Sequence, residues 1–518
     1  MNLLSIALYL PLIGFFVLLF MPRESKAPFA VALITTIATF LASLGLIGPA
    51  LANPAQFTSS VNSMWIDSPG LQIRLHLGID GINLWLVLLT TLLLPIGLWV
   101  SRTMIKDRQK TFFALLLLFE FGLIGVFSAL DLFVFYVFWE VALVPMYLMV
   151  GGWGGARRGV AAVKFFVYTM LGSVLMLASI LYLHTQAGTF DYVEILNALA
   201  SGRVVLTSSQ QLGLFLGFFA AFAVKVPIFP LHTWLPDTYS EAPAPATFLL
   251  AAVMSKMGAY GLIRYCIALS PSGAHRCANW VIVLAIIGII YGALLALIQP
   301  NIKRLIAYSS ISHLGFVVLG IFTFNQQGED GAVYQMIAHG LSTGALFLLA
   351  GYLEERRGSM EIADFGGVAT RAPGLGAAFM IAMLASIGLP ALCNFIGEYL
   401  VLQGAALTDF GWAAWAAVGV ILSAAYMLWM YQRTFWGKTS DRTSSMSDLK
   451  FREWAPVLPL IALMVWLGSY TQSFMPPITS ATSHLLEQTS MNNEYRVKVD
   501  MPARRFAPGS VSGDVNAR

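Results

Sequence analysis

Eight ionisable residues interrupt stretches that are otherwise apolar: Glu120, Glu140, Lys164, Lys225, Lys256, His313, His339 and Glu398. A lysine or aspartate at the centre of a membrane helix costs about 2.5–3.5 kcal/mol. One such group serves structure often enough. A series in successive segments points to an ion or proton path. The residue types suit proton transfer. Burial disfavours the ammonium form of a lysine, so a buried lysine can lose and regain a proton near neutral pH, and a carboxylate moving toward or away from it would switch loading and release. Glu140 is the candidate partner of Lys225. Histidine titrates near neutral pH unaided, so His313 and His339 suit a relay.

Local spacing supports this reading. Polar groups recur at every fourth residue, which stacks them on one helix face. The stripes are Lys256, Tyr260, Arg264; Ser309, His313; Gln335, His339, Thr343; and Ser386, Pro390, Asn394, Glu398. Serines and threonines alone are read as bonding to their own helix or gluing helices together. Stripes that hold Glu, Lys or His are read as hydrated and proton-conducting. Glu140, Lys225, Lys256 and Glu398 sit deepest. Glu120 either belongs to the path or bonds a neighbouring helix. Lys164, close to its segment's start, either joins the path or snorkels to the surface. His232 and Asp237 are loop caps or part of the inlet, and Asp131 is read as a loop or cap residue. There is no phosphate-binding glycine loop, no CxxC pair and no histidine pair at metal or haem spacing, so no redox centre is expected in this chain. Cys266, Cys277 and Cys393 are read as apolar filler.

The elements that carry these residues are membrane spans. The 518 residues are 58% hydrophobic and only 11% charged, with a mean hydropathy of +0.75; soluble domains carry roughly a quarter charged residues. Apolar runs long enough to cross a bilayer recur from end to end. Fourteen are expected, near 2–20, 28–52, 80–100, 112–130, 132–150, 161–185, 210–231, 246–268, 279–299, 303–324, 330–353, 373–402, 411–432 and 453–470. They must be helices, because backbone groups in lipid have to satisfy themselves. The first run lacks a basic flank and a cleavage site and is read as a span. The net charge of +4 lies mostly in the loops after spans 1, 3, 5, 9, 11 and 13. They hold Arg23, Lys26, Arg102, Lys106, Arg157, Arg158, Lys303, Arg304, Arg356, Arg357 and Arg442 among others. The positive-inside rule then places both termini outside the cytoplasm. The segment from about Gln472 is polar, and is read as mobile or as lying along a neighbour.

Two spans should be broken. Span 7 holds Pro227 and Pro230, and span 12 holds Gly388 and Pro390; each proline removes a backbone donor and clashes one turn back. Their offset of five spans inverts one unit relative to the other, which is the pattern of transporter folds with a path at the breaks. The expected divisions are spans 1–3 at 1–110, five-helix units at 111–270 and 278–435, a loop and span 14 at 436–475, and a polar tail at 476–518.

Longer motifs carry a family resemblance. They are Gly78-Ile-Asp-Gly-Ile-Asn83; Val134-Phe-Tyr-Val-Phe-Trp-Glu140-Val-Ala-Leu-Val-Pro-Met-Tyr147; Lys225-Val-Pro-Ile-Phe-Pro-Leu-His-Thr-Trp-Leu-Pro-Asp237, followed by Glu241-Ala-Pro; and Lys256-Met-Gly-Ala-Tyr-Gly-Leu-Ile-Arg264. Together they resemble the antiporter-like M chains of the proton-translocating NADH:quinone oxidoreductase, respiratory complex I. The likeness covers spans 3 to 13. It implies an all-α membrane fold of fourteen helices with inverted repeats. It also implies a coupled pair Glu140–Lys225, a central relay at Lys256, later sites at His313 and His339, and a terminal site at Glu398. Related chains carry lysine at that last position. The resemblance further implies FMN, iron–sulfur clusters and quinone in partner subunits, the antiporter-like chains L and N as neighbours, and residence in a bacterial cytoplasmic (inner) membrane. The alternatives are a subunit of a multisubunit sodium/proton antiporter or membrane-bound hydrogenase, to which the resemblance extends at the level of the fold, or a non-conducting membrane anchor.

Overall fold

The computed structural model describes residues 2–22, 27–68, 71–439 and 443–496; Arg23, Lys26 and Arg442, used above for orientation, lie outside them. In chain order the main elements are α1 (Leu3–Phe20), α2 (Pro28–Ala52), β1 (Thr58–Ser68), β2 (Leu71–Ile79), α3 (Asn83–Met104), α4 (Gln109–Ser128), α5 (Leu132–Trp153), α6 (Arg158–Ala187), α7 (Tyr192–Ala200), α8 (Ser208–Lys225), α9 (Trp234–Glu241), α10 (Ala244–Ile267), α11 (Pro271–Ile298), α12 (Ile302–Phe322), α13 (Gln326–Arg357), α14 (Pro373–Ile387), α15 (Cys393–Thr408), α16 (Phe410–Phe435), α17 (Phe451–Ser469) and α18 (Met475–Arg496). Among the described residues, twelve helices are long and apolar enough to cross a membrane. The chain is a multi-pass, all-α membrane protein. The two expected broken spans are the ones in pieces, α8 with α9 and α14 with α15.

Both breaks follow from local chemistry. Pro227 has no N–H for the carbonyl of Ala223, so the ladder slips and Ile228 N–H bonds Ala223 O instead, at 2.8 Å. The displaced carbonyl of Val224 accepts from the Trp234 indole at 2.9 Å. At the second break Gly388 takes φ +84°, and Leu389 N–H closes back on Leu384 O at 3.1 Å, the glycine-terminated helix end that side-chain-bearing residues resist.

α10 and α13 form the buried axis, each wholly enclosed across its most apolar stretch. α10 contains two π-helical stretches, Leu250–Met254 and Leu262–Ile267. α6 instead turns Val160, Val163, Val167 and Leu171 outward, as a lipid- or neighbour-facing helix does.

Three features differ from the sequence expectations. Strands β1 and β2 pair antiparallel, and β2 docks through Leu77 and His76 on the end of α4. α7 occupies a loop that carried no assigned element. The polar segment after span 14 begins as a helix, α18, which packs on α7, α11 and α13 of its own chain. Thr479 and Thr482 of α18 donate to the Asp330 carboxylate at 2.7 and 2.5 Å, so this part of a stretch expected to be mobile or to lie along a neighbour packs on its own bundle; residues 497–518 of the expected tail lie outside the described residues.

Candidate proton-transfer site

Lys256 lies on α10 between its two π-helical stretches, with no exposed surface. A π turn shifts the backbone ladder and loosens its carbonyls. Here the Ala251 carbonyl, five residues back, accepts from Lys256 Nζ at 2.6 Å, with Ser255 Oγ at 3.1 Å. The third neighbour of Nζ is Nδ1 of His339 on α13, at 2.8 Å. The ring centres of His339 and His313 are 5.8 Å apart, a gap that one water or a small rotation closes. His313, on α12, meets Oε1 of Glu398 at 2.8 Å through Nδ1. Gln335 Nε2 donates to the same oxygen at 3.0 Å. Ser386 Oγ and Tyr426 Oη stand 3.5 Å from the other nitrogen of His313.

Glu398 faces the break it follows. A Cβ built on Gly388 would stand 2.9 Å from Glu398 Oε2. Asn394, one turn earlier, accepts from Ser342 of α13 at 3.0 Å. The four-residue stripes therefore meet one another. Lys256, His339, His313 and Glu398 form one buried series across four helices, hydrogen-bonded at Lys256–His339 and His313–Glu398 and with the two rings facing each other between; the arrangement can hold and pass protons in either direction.

The first half of the expected path is organised differently. Lys225 ends α8 and is 1% exposed. Its ammonium has no hydrogen-bond partner and lies over the rings of Trp139 and Phe165 at 5.4 and 5.3 Å. Glu140 of α5 is only partly buried, with Lys225, Ser173 and Tyr136 among the polar groups near it. Gly258 lets α10 approach α8 closely, since a Cβ there would stand 3.0 Å from the Cβ of Lys225. No hydrogen bond joins Lys225 to Lys256, so the two halves are adjacent without direct contact.

The remaining candidates separate. Lys164 bonds Asp237 at 2.8 Å and the Thr233 carbonyl at 2.8 Å. Asp237 also holds Arg304 at 3.0 Å, so it ties α6, α9 and α12 together. His232 is 3% exposed, beside Phe229 and Tyr291, with Nδ1 unpartnered. Glu120 is fully buried with both carboxyl oxygens unpartnered, and no hydrogen bond brings it into the series. Asp131 caps α5, accepting from Phe133 and Val134 N–H at 2.9 and 3.0 Å. The sequence reading missed the pair Arg264–Asp80 and the acids Glu329 and Asp330 on α13. Arg264 was visible in its stripe, but its partner lies 184 residues away. Among the described residues no group of three or more His, Cys, Asp or Glu could hold a metal.

A family model described as NADH:quinone oxidoreductase/Mrp antiporter, TM, matches residues 129–424. This span runs from the end of α4 into α16 and contains every residue of the series. The chain belongs to that family. The NADH-quinone oxidoreductase subunit M of Rhodobacter capsulatus is 42% identical over 502 residues, covering 94% of this chain and 96% of the relative. A chain of respiratory complex I from Thermus thermophilus, solved with bound NADH, superposes with a TM-score of 0.85 at 34% identity, covering 94% and 99% of the two chains. A chain of the Mrp complex from Dietzia sp. DQ12-45-1b shares the fold, with a TM-score of 0.83 at 20% identity over 96% and 99%. The match to this antiporter-like family agrees with an all-α membrane subunit whose polar groups are enclosed between helices.

Proposed function

We propose that this chain is a proton-translocating membrane subunit of NADH:quinone oxidoreductase. It moves protons across the membrane while NADH oxidation and quinone reduction occur on partner subunits that hold FMN and iron–sulfur clusters. The observation that carries this reading is the buried series Lys256–His339–His313–Glu398. In it a proton leaves Lys256 Nζ for His339, crosses to His313 and reaches the Glu398 carboxylate. Glu140 and Lys225 form the loading pair. When Glu140 holds its negative charge near Lys225 the ammonium is favoured, and when that charge is lost the proton is released toward Lys256. Each proton delivered works against about 2.3 kcal/mol per 100 mV.

The breaks beside Lys225 and Glu398 support two inverted five-helix units, at 111–270 and 278–435, with one hinge each. His232, Asp237 and Lys164 would line the inlet. The basic loops support a cytoplasmic placement of that end in a bacterial inner membrane, with the chain's termini on the other side. Antiporter-like chains such as L and N are the expected neighbours.

In the reconstituted complex, Lys225→Ala and Glu140→Gln should assemble and lose NADH-driven proton pumping. Full pumping in both variants would overturn the reading. Sodium-dependent transport without NADH would instead favour an antiporter assembly.

A further inference from the structure

The stripe that begins at Lys256 does not end there. Tyr260 and Arg264 follow at intervals of four on α10, both buried, and Arg264 lies roughly 12 Å along the helix from Lys256 at 1.5 Å per residue. This direction leads away from the arginine- and lysine-rich loops, toward the end of the bundle where α3 starts and α4 finishes. It stays on α10 itself, whereas the series through His339 and His313 crosses to other helices.

At the end of the stripe stands a charge that cannot relay. Arg264 sits in the second π-helical stretch, bonds Asp80 through Nη2, and lies over the rings of Phe57 and Tyr260 at 4.9 and 5.6 Å. Asp80 is itself fixed, since one carboxyl oxygen accepts from Ile82 and Asn83 N–H at 3.0 and 3.1 Å. Asn83 anchors that turn to Gly78 and Phe127 carbonyls at 3.0 and 2.8 Å. The Tyr260 and Tyr192 hydroxyls complete the surroundings of the guanidinium. A guanidinium stays protonated in proteins and has no acceptor lone pair to receive another proton. Its fixed positive charge in a low-dielectric site repels an arriving proton, the device by which some pores exclude protons and cations. Without Asp80 a buried guanidinium would be too costly to keep.

We propose that the Arg264–Asp80 pair is an electrostatic seal that closes the outward route along α10 from Lys256 and directs protons sideways to His339. This rests on the reading of Lys256 as a relay. The test is the passive proton conductance of proteoliposomes holding the resting complex, without NADH, under an imposed potassium diffusion potential. Arg264→Gln keeps a donor for Asp80 and removes the charge; its leak should rise several-fold over the native complex. Arg264→Met with Asp80→Leu leaves no unpaired charge and should leak likewise. Adding Lys256→Met to either background should return the leak to the native rate, because the route starts at Lys256. Tight membranes with both neutralised variants overturn the seal. So does a leak that persists in the Lys256→Met background, which would mark a packing defect. Lys256→Met alone tests the underlying reading separately: it should abolish NADH-driven pumping, and normal pumping would remove the relay rather than the barrier.

Discussion

At the scale of single residues, the account depends on side chains held where charge is costly. Glu398 shows how the backbone participates: its carboxyl points at Gly388, whose positive φ leaves room that a Cβ would fill. Gly388→Ala would place a side-chain-bearing residue in the left-handed region, at a cost of about 1–2 kcal/mol, and would press on Glu398 Oε2. The expected outcome is a lowered melting temperature of the complex together with slower pumping, read by thermal unfolding and by pH-dye quenching. A variant matching the native complex in both would show that the break does not position Glu398. Much at this scale was legible in advance. Glu140, Lys225, Lys256, His313, His339 and Glu398 stood out because apolar surroundings make any charge conspicuous. Their order of contact was not legible. A stripe tells which face a residue occupies but not which helix faces it, so Asp80 could not be paired with Arg264, nor the unpartnered carboxyl of Glu120 foreseen.

At the scale of elements, prolines and a glycine announced both helix breaks, because the missing donors act locally. The strand pair β1–β2 and the π-helical stretches of α10 gave no comparable signal; the first depends on docking against the end of α4, the second on the packing of a wholly buried helix. The strand pair's anchorage has a measurable consequence. Asp131, the cap of α5, also accepts from the Arg74 N–H of β2 at 3.3 Å, while His76 of β2 holds Asp191 at 2.5 Å. Burial, aided by the nearby Asp191 charge and opposed by three backbone N–H donors, lifts Asp131 from its ordinary 3.8 to about 6. The folded state therefore binds this proton more tightly than the unfolded chain. Its stabilising contribution is fully present below about pH 4 and is lost as pH rises through about 6. Asp131→Asn keeps a capping side chain and carries no such proton. Its melting temperature should vary less with pH across that window than the native chain's; equal pH dependence would contradict the assignment.

At the scale of the whole molecule, two ties hold distant parts together. Asp237 joins α6, α9 and α12 through Lys164 and Arg304, and Asp330 holds α18 against α13. The second tie explains why a polar C-terminal stretch folds back on its own bundle. Thr479, Thr482 and Gln326 all donate to one buried acid. Replacing Thr479 and Thr482 with valine removes two of these donors, at about 1–3 kcal/mol for each bond lost from a buried acceptor. Faster hydrogen exchange over 475–490 is the expected result, with the exchange of α10 unchanged. Unaltered protection of α18 would mean that its apolar contacts suffice. The general membrane architecture was readable from hydropathy alone, because lipid enforces it; these ties were not, since each joins residues far apart in sequence.

The most direct test of the central claim is the number of protons pumped per NADH oxidised by the complex carrying His339→Leu. This variant keeps an apolar side chain of moderate size in α13 and removes the only ring between Lys256 and His313 in the series. The account predicts that pumping through this chain stops, seen as fewer protons per NADH or as arrested turnover. Native stoichiometry at native turnover would show that protons do not travel from Lys256 to Glu398 by this route.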